Sequence, residues 1–300
     1  MNRQSIEVKY FSMRKQSIQS RKTRSTLDKR AIQEIRIFGG HGRDGTPELV
    51  SSVILKSGQI ISVVGPTGSG KTELINDIER FADRNTPSGR KITVDGKVVT
   101  DEESSSIRNP VALITQHTNF LSDLPVHEFL STHARVRSEN PKPSVIGETL
   151  SFANELTGEP IRIESIMTEL SGGQTRALLI ADAIVIGNAP IVLLDEIENA
   201  GINKTRALEL IKPYGKICMF VTHDPKITLQ SDIRIVMKNG AMQRVITRDS
   251  DEKYVLGRIA AIDDLLLEVR SRIREGERID RKQFAVGWQQ LIAFGKDSVS

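Results

Sequence analysis

VVGPTGSGKTEL, Val63 to Leu74, sets Gly65, Pro66, Thr67, Gly68, Ser69, Gly70, Lys71 and Thr72 between a β-branched run and a stretch of helical pattern. A strand that turns through glycines into a helix makes a phosphate cradle. The glycines let backbone N–H groups close on an anion, Lys71 brings charge to β- and γ-phosphate oxygens, and the Thr72 hydroxyl can ligate Mg²⁺. The flanking strand and helix are the context that gives this loop its meaning, and they leave little room for a purely structural Gly-rich turn. The loop predicts a nucleotide-binding α/β core. It does not separate kinases, GTPases, helicases and transport ATPases, which all use it.

Outward from the loop the chain alternates between strand and helix. Ala31 to Phe38 alternates like a strand, Gln59 to Val64 reads as a buried strand, and Glu73 to Phe81 as a helix. Lys91 to Val99 has the pattern of a hairpin turning at Asp95-Gly96. Val111 to Ile114 is a short strand, and from about Leu124 to Asn188 the pattern is helical, broken at Asn140 to Ser144. Ile191 to Leu194, Lys204 to Lys212 and Lys216 to Val221 then read as strand, helix and strand, and Ile233 to Ile246 as a hairpin turning at Asn239-Gly240. This order predicts an α/β fold: a P-loop parallel-sheet core with a β-rich N-terminal subdomain, an inserted helical lobe and a C-terminal helical extension. The expected divisions are a basic extension over 1–30, the nucleotide domain over 31–250 with its lobe at about 124–188, and the extension over 251–300.

The chain has 300 residues, 38% hydrophobic and 27% charged, which suits an ordinary water-soluble composition. No apolar run reaches the roughly 18–20 residues of a membrane span. The nearest candidate, Ala177 to Leu194, is interrupted by Asp182, Asn188 and Pro190 and reads as helix, turn and strand. The N-terminus has no apolar segment of the secretory kind. A lone cysteine, Cys218, excludes an intrachain disulfide and fits a reducing compartment. Charge is uneven: residues 1–30 hold nine Lys and Arg against two acids, a balance of +7, which leaves −3 for the rest of a chain of net +4. Such a tail suits an anionic partner, a transit segment or, most commonly, a plain solvated terminus.

The stretch that separates the machines is TELSGGQTRALLIADAI, where Leu170, Ser171, Gly172, Gly173 and Gln174 open the apolar helix Arg176 to Val185. A chance match is on the order of a few in ten thousand. Ser171, Gly172 and Gly173 would present a hydroxyl and unobstructed N–H groups at a helix N-terminus, where anions are favoured. Lys71 and its loop already cradle one phosphate, so a second phosphate-reading surface suggests a second subunit. Kinases and GTPases have no need of it.

On these motifs the sequence resembles the ATP-binding cassette (ABC) ATPases from about Ile35 to Ile246. Gly65 to Thr72 matches the Walker A motif, Leu170 to Gln174 the signature, and IVLLDE, Ile191 to Glu196, the Walker B strand. Gln116 in LITQH stands at the Q-loop position and His223 in FVTHD at the switch position. The resemblance implies ATP hydrolysis with Mg²⁺. It places the nucleotide on Gly65 to Thr72 and on Ser171, Gly172, Gly173 and Gln174, the metal at Thr72, Gln116 and Asp195, and catalysis on Glu196, His223 and Gln116. The chemistry agrees for the acidic pair: Asp195 ends an apolar strand where it would hold Mg²⁺, and Glu196 can orient and deprotonate the attacking water. The roles of His223 and Gln116 rest on the family register alone. The resemblance also implies a homodimer or heterodimer of such domains closing head to tail, the Ser171 loop of one completing the ATP site of the other. The driven partner is either separate transmembrane subunits of a transporter or, alternatively, a soluble protein that is remodelled or a nucleic-acid maintenance system. A transporter subunit would be cytoplasmic, peripheral at the inner face of the membrane.

Three stretches depart from the family pattern. After Glu196 the family reads Pro-Thr-Ser-Ala-Leu-Asp, whereas this chain has Ile197, Glu198, Asn199, Ala200, Gly201 and Ile202, which puts communication between sites in question and not hydrolysis. His41 to Thr46 holds no Phe, Tyr or Trp to stack an adenine, leaving Phe38 or His41. Val255, Ile259, Ile262, Leu266, Val269 and Ile273 recur at alternating spacings of four and three on one helix. That seam is shorter than the roughly three to four heptads of a coiled coil, so packing on its own domain is the first expectation and a dimer or partner surface the second. Phe284, Trp288, Leu291 and Phe294 beyond it suit a docking patch or a clasp.

Overall fold

A computed structural model describes residues 32–100, 110–115, 118, 122–196, 202–281 and 284–285. The central six-stranded sheet has the order β5-β6-β7-β3-β8-β9, formed by Val111–Ile114, Ile191–Asp195, Ile217–Val221, Ile60–Val64, Ile233–Lys238 and Ala241–Thr247. Its first five strands run parallel, and β9 returns antiparallel to β8. Strands β6 and β7 are apolar almost throughout because both faces of a central parallel strand are covered. Their alternate residues serve two separate cores. Val192, Leu194, Cys218 and Phe220 face Leu156, Leu178 and Ala181 of the helical lobe. Ile191, Leu193 and Met219 face Leu74, Ile75 and Ile78 of the helix after the phosphate loop, α1 (Lys71–Glu79).

A three-stranded antiparallel sheet of order β2-β1-β4 (Ser52–Lys56, Glu34–Phe38, Lys91–Val94) covers that second core with Ile35, Ile37, Val53, Leu55 and Ile92. The hairpin expected over Lys91 to Val99 is reduced to its turn. Asp95 and Gly96 take the left-handed φ values of 47° and 78° that the turn requires. Beyond it only one bridge, Val94 to Lys97, continues the pairing. The Asp95 carboxylate accepts the N–H groups of Gln33 and Glu34 at 2.9 Å each, so the turn is tied to β1, which becomes the partner of β4.

The lobe contains α2 (Val126–Arg137), α3 (Val145–Leu156) and α4 (Gly172–Val185), with the Pro-rich break where the sequence places it. After β6 follow α5 (Lys204–Ile211), α6 (Pro225–Gln230) and α7 (Ser250–Arg274). Helix α6 escaped the sequence reading although it carries ordinary start signals, an Asp224 N-cap and a first-turn proline. The seam does lie on one helix, α7, but among the described residues it is at most partly covered: Val255, Ile262, Leu266 and Ile273 are 41–59% exposed, and Ile259 and Val269 are half-buried. Helix α7 is instead attached by charge, through Lys226 to Asp263 at 3.3 Å and Arg234 to Glu252 at 3.0 Å. Among the described residues no helix is long and apolar enough to cross a membrane. Residues 1–30, Trp288, Leu291 and Phe294 lie outside the described residues.

Candidate active site

The sheet topology brings three of the sequence-predicted segments to one edge: the phosphate loop, the acidic pair and the His223 loop. The signature, Ser171 to Gln174, lies apart from them at the start of α4 in the lobe. Val63 of β3 is paired with Val221 of β7, and Val221 with Asp195 of β6. These parallel strands therefore end side by side, and the chain leaves them as the phosphate loop, the His223 loop and the acidic pair. Two strand spacings, about 10 Å, separate the outer two. Strand β5 ends at Ile114 on the same edge; Gln116, which follows it, lies outside the described residues. Crevices at the carboxyl ends of parallel strands are where ligands bind in open α/β sheets.

The phosphate loop has the properties of an anion site. Gly65 takes φ 152°, and a Cβ there would lie 2.3 Å from Met237 O and 2.6 Å from Ser69 Oγ. Gly70, at φ 94°, is the N-cap of α1 and gives it no side-chain cap; a Cβ there would collide with Gly240 Cα at 2.7 Å. The first N–H groups of a helix have no partner within it, so α1 leaves these donors for an external anion. Lys71 is buried, with its ammonium folded back over the loop and donating to Gly65 O at 2.9 Å and Pro66 O at 3.2 Å. Among the described residues the buried Ser69 hydroxyl has no hydrogen-bond partner. Thr72 is exposed on the first turn. A triphosphate fits this donor set, and Thr72 and Asp195 offer oxygens for a hard cation.

Glu196 is held in an unusual backbone conformation. Its φ is +50°, in the left-handed region that non-glycine residues seldom adopt, and its N–H donates to Val221 O at 3.1 Å. Strain of this kind collects at functional positions, where surrounding structure dictates the direction of a side chain. His223 is exposed beside it, two residues past Val221.

The signature is built as a helix cap. Ser171 is the N-cap of α4, and its Oγ accepts the N–H of Gln174 at 3.3 Å. Gln174 Oε1 accepts the Ser171 N–H at 3.0 Å, and its Nε2 donates to the carbonyls of Glu159 and Pro160, both at 3.4 Å. The cap thus uses Ser171 as an acceptor and leaves its hydroxyl proton, with the N–H groups of Gly172 and Gly173, to face an anion. The polar atoms of Gln174 are engaged inside the chain, so its service is to hold the loop. The S-x-x-Q spacing before an apolar run announces this capping box, a signal the sequence reading passed over.

Ile202, where the family pattern has aspartate, is 6% exposed and packs in the lobe-side core. Of the two candidates for adenine stacking, His41 is exposed with Nδ1 3.2 Å from Gly42 O, and Phe38 is half-buried with the Arg36 guanidinium 5.9 Å from its ring centroid. Cys218 is fully buried, and burial pushes its thiol up to about 12, which makes it inert.

A buried charge cluster behind the phosphate loop was invisible in the sequence. Arg90 has no exposed side-chain surface; it pairs with Glu48 at 2.6 Å and with Asp77 of α1 at 2.8 Å. Burial works against its charge, but hydrogen bonds to Glu48 and Asp77 and their negative charge outweigh that and hold the guanidinium above its ordinary range. It also donates to Gly240 O at 2.6 Å, and the Gly240 N–H donates to Ser69 O at 2.9 Å. Arg90 therefore fixes α1, the β8–β9 turn and, through that turn, the phosphate loop as one unit.

Comparison with known proteins gives the family. The family model for ABC transporters matches residues 50–199. An uncharacterised ABC transporter ATP-binding protein of Methanocaldococcus jannaschii is 46% identical over 256 residues, covering 85% of this chain and 98% of its own. A macrolide export ATP-binding/permease protein of Campylobacter jejuni is 31% identical over 68% of this chain, which spans 33% of that protein's length. CbiO1 of Clostridium perfringens, described as part of an ABC transporter complex, shares the fold with a TM-score of 0.57 at 21% identity, over 80% of this chain and 97% of its own. The chain belongs to the ABC transporter family, as one of its ATP-binding proteins.

Proposed function

We propose that the chain is the ATP-hydrolysing subunit of a transporter whose membrane-spanning parts are separate polypeptides, and that two ATP-binding chains close head to tail around shared ATP sites. The observation that carries the hydrolysis is the common edge where the uncapped α1, Asp195, Glu196 and the His223 loop meet. Lys71 and the loop N–H groups bind and orient the phosphates. Thr72 and Asp195, with Gln116, are the candidate Mg²⁺ ligands, and the bound ion would neutralise charge between the phosphate oxygens. The Glu196 carboxylate takes the proton of the attacking water, and His223 contacts the terminal phosphate. The exposed Ser171 cap, with its remaining donors, supports a site completed by a second chain. Separate membrane subunits are supported by two observations: no described helix suits a span, and the relative matched over nearly its whole length is named as an ATP-binding protein.

Phosphate release from Mg-ATP, measured beside nucleotide binding, tests the reading. The wild type should hydrolyse ATP, and Lys71→Ala should lose both binding and turnover, because the cation folded over the loop is then gone. Tight ATP binding by Lys71→Ala would count against the phosphate site. Purification from its native cells should bring down membrane-spanning chains; a soluble enzyme in their place would overturn the transport assignment.

A further inference from the structure

Two of the chain segments that meet the active edge are joined by an ion pair. Helix α5 starts at Lys204, shortly after the acidic pair, and α6 starts at Pro225, directly after His223 and Asp224. Lys204 Nζ donates to Asp224 Oδ2 at 2.6 Å, with the two side chains only 28% and 17% exposed. The other carboxylate oxygen, Oδ1, caps α6 by accepting the N–H groups of Lys226 at 2.8 Å and Ile227 at 3.2 Å. The Asp224 N–H in turn donates to Thr222 Oγ1 at 2.9 Å, and the Thr222 N–H to Val63 O at 3.3 Å.

The cap needs only Oδ1, so the bond to Lys204 is additional to it. Local helix energetics also speak against a lysine at this place. Lys204 is the first residue of α5, whose first turn has no acid, and a cation at the positive end of a helix dipole is disfavoured. The compensation comes from Asp224 across the gap. Burial pushes the Asp224 carboxyl up, but the bonds from Lys204 and the cap N–H groups outweigh it and hold the group below its ordinary value. The base of Lys204 is anchored as well: Asn203 N donates to Leu156 O of α3 at 2.8 Å, and Ile202 is bridged to Thr157.

We propose that Lys204 is a positioning residue for His223: through Asp224 it sets the conformation of Thr222–Asp224 and ties it to the end of α3 in the helical lobe. The inference rests on the reading of His223 as a phosphate contact. A shift of the lobe at α3 and α5 would then be passed to the histidine through the Lys204–Asp224 bond. No local sequence signal shows this link, since twenty residues separate its two ends.

The test uses the full chain and three substitutions, Lys204→Met, Asp224→Asn and Lys204→Arg. Asp224→Asn keeps an acceptor for the α6 cap and removes the charge that Lys204 meets. Lys204→Met and Asp224→Asn should each lower kcat for ATP hydrolysis on the order of 10- to 100-fold, the scale of a misplaced catalytic group. KM for ATP and the thermal midpoint should stay close to wild type. The double variant should be no worse than either single one, because both remove the same bond. Lys204→Arg should restore most of the rate, and adding Lys204→Met to His223→Ala should change nothing further. Near wild-type kcat in Lys204→Met, beside an inactive His223→Ala, would overturn the role of Lys204 and leave the reading of His223 standing. Additive losses in the double variant, or a fall in thermal midpoint that accounts for the lost rate, would also overturn it. Full activity in His223→Ala would overturn both.

Discussion

Glu196→Gln should bind ATP as the wild type does and hydrolyse it on the order of 10²- to 10⁴-fold more slowly, the usual contribution of a positioned general base. The amide has the shape of the carboxylate but does not accept the proton of the attacking water. The backbone that aims the side chain is untouched, because the Glu196 N–H bond to Val221 O and the left-handed φ of +50° do not depend on the carboxyl group. Lys71 and the uncapped start of α1 remain to hold the phosphates. Phosphate release and retention of labelled ATP on the purified variant measure the two effects separately, and ATP should trap the variant as a dimer. Turnover near the wild-type rate would remove Glu196 from the role.

Arg90→Ala should destabilise the fold by about 3–5 kcal/mol, since removing one partner of a buried ion pair strands its counter-charges. Here two carboxylates lose their cation together, Glu48 with 1% and Asp77 with 0% of the side chain exposed, and among the described residues one oxygen of Asp77 already lacks a hydrogen-bond partner. Domains unfold with about 5–15 kcal/mol in total, so the variant stands near the threshold of folding. Denaturant unfolding gives the number. Adding Glu48→Gln and Asp77→Asn should recover part of the loss, because neutral amides are less costly to bury than unpaired carboxylates. A loss below about 1 kcal/mol, the size of an exposed pair, would show that water reaches the cluster.

What was legible in the sequence was what depends on neighbours in the chain. Ile191 to Leu194 and Ile217 to Val221 announce central strands because both faces need apolar residues, and the loop from Gly65 to Thr72 carries its meaning in consecutive positions. The turn at Asn239-Gly240 was equally plain, with both residues at positive φ between paired strands. Arg90 was not legible. In sequence it is one more charge beside Lys91, and its partners lie 13 and 42 residues away, brought to it only by the fold. Ile202 looked like a lost aspartate, yet the structure gives the position to the lobe-side core. The fate of the Val255 to Ile273 seam was open for a related reason: spacing defines a stripe, but whether anything covers it is a tertiary fact.

Mixing two inactive variants decides whether paired chains complete each other's ATP sites. Lys71→Ala empties the phosphate loop, and Ser171→Arg puts bulk and charge on the exposed cap of α4 at a loss of about 1 kcal/mol in helix capping, which a folded chain tolerates. Each variant alone should be unable to turn over ATP. In a head-to-tail heterodimer both lesions fall in one site, and the other combines an intact Lys71 with an intact Ser171. ATPase activity should therefore return on mixing, in proportion to the heterodimers formed. No recovery in a mixture where heterodimers are shown to form would contradict the shared-site account.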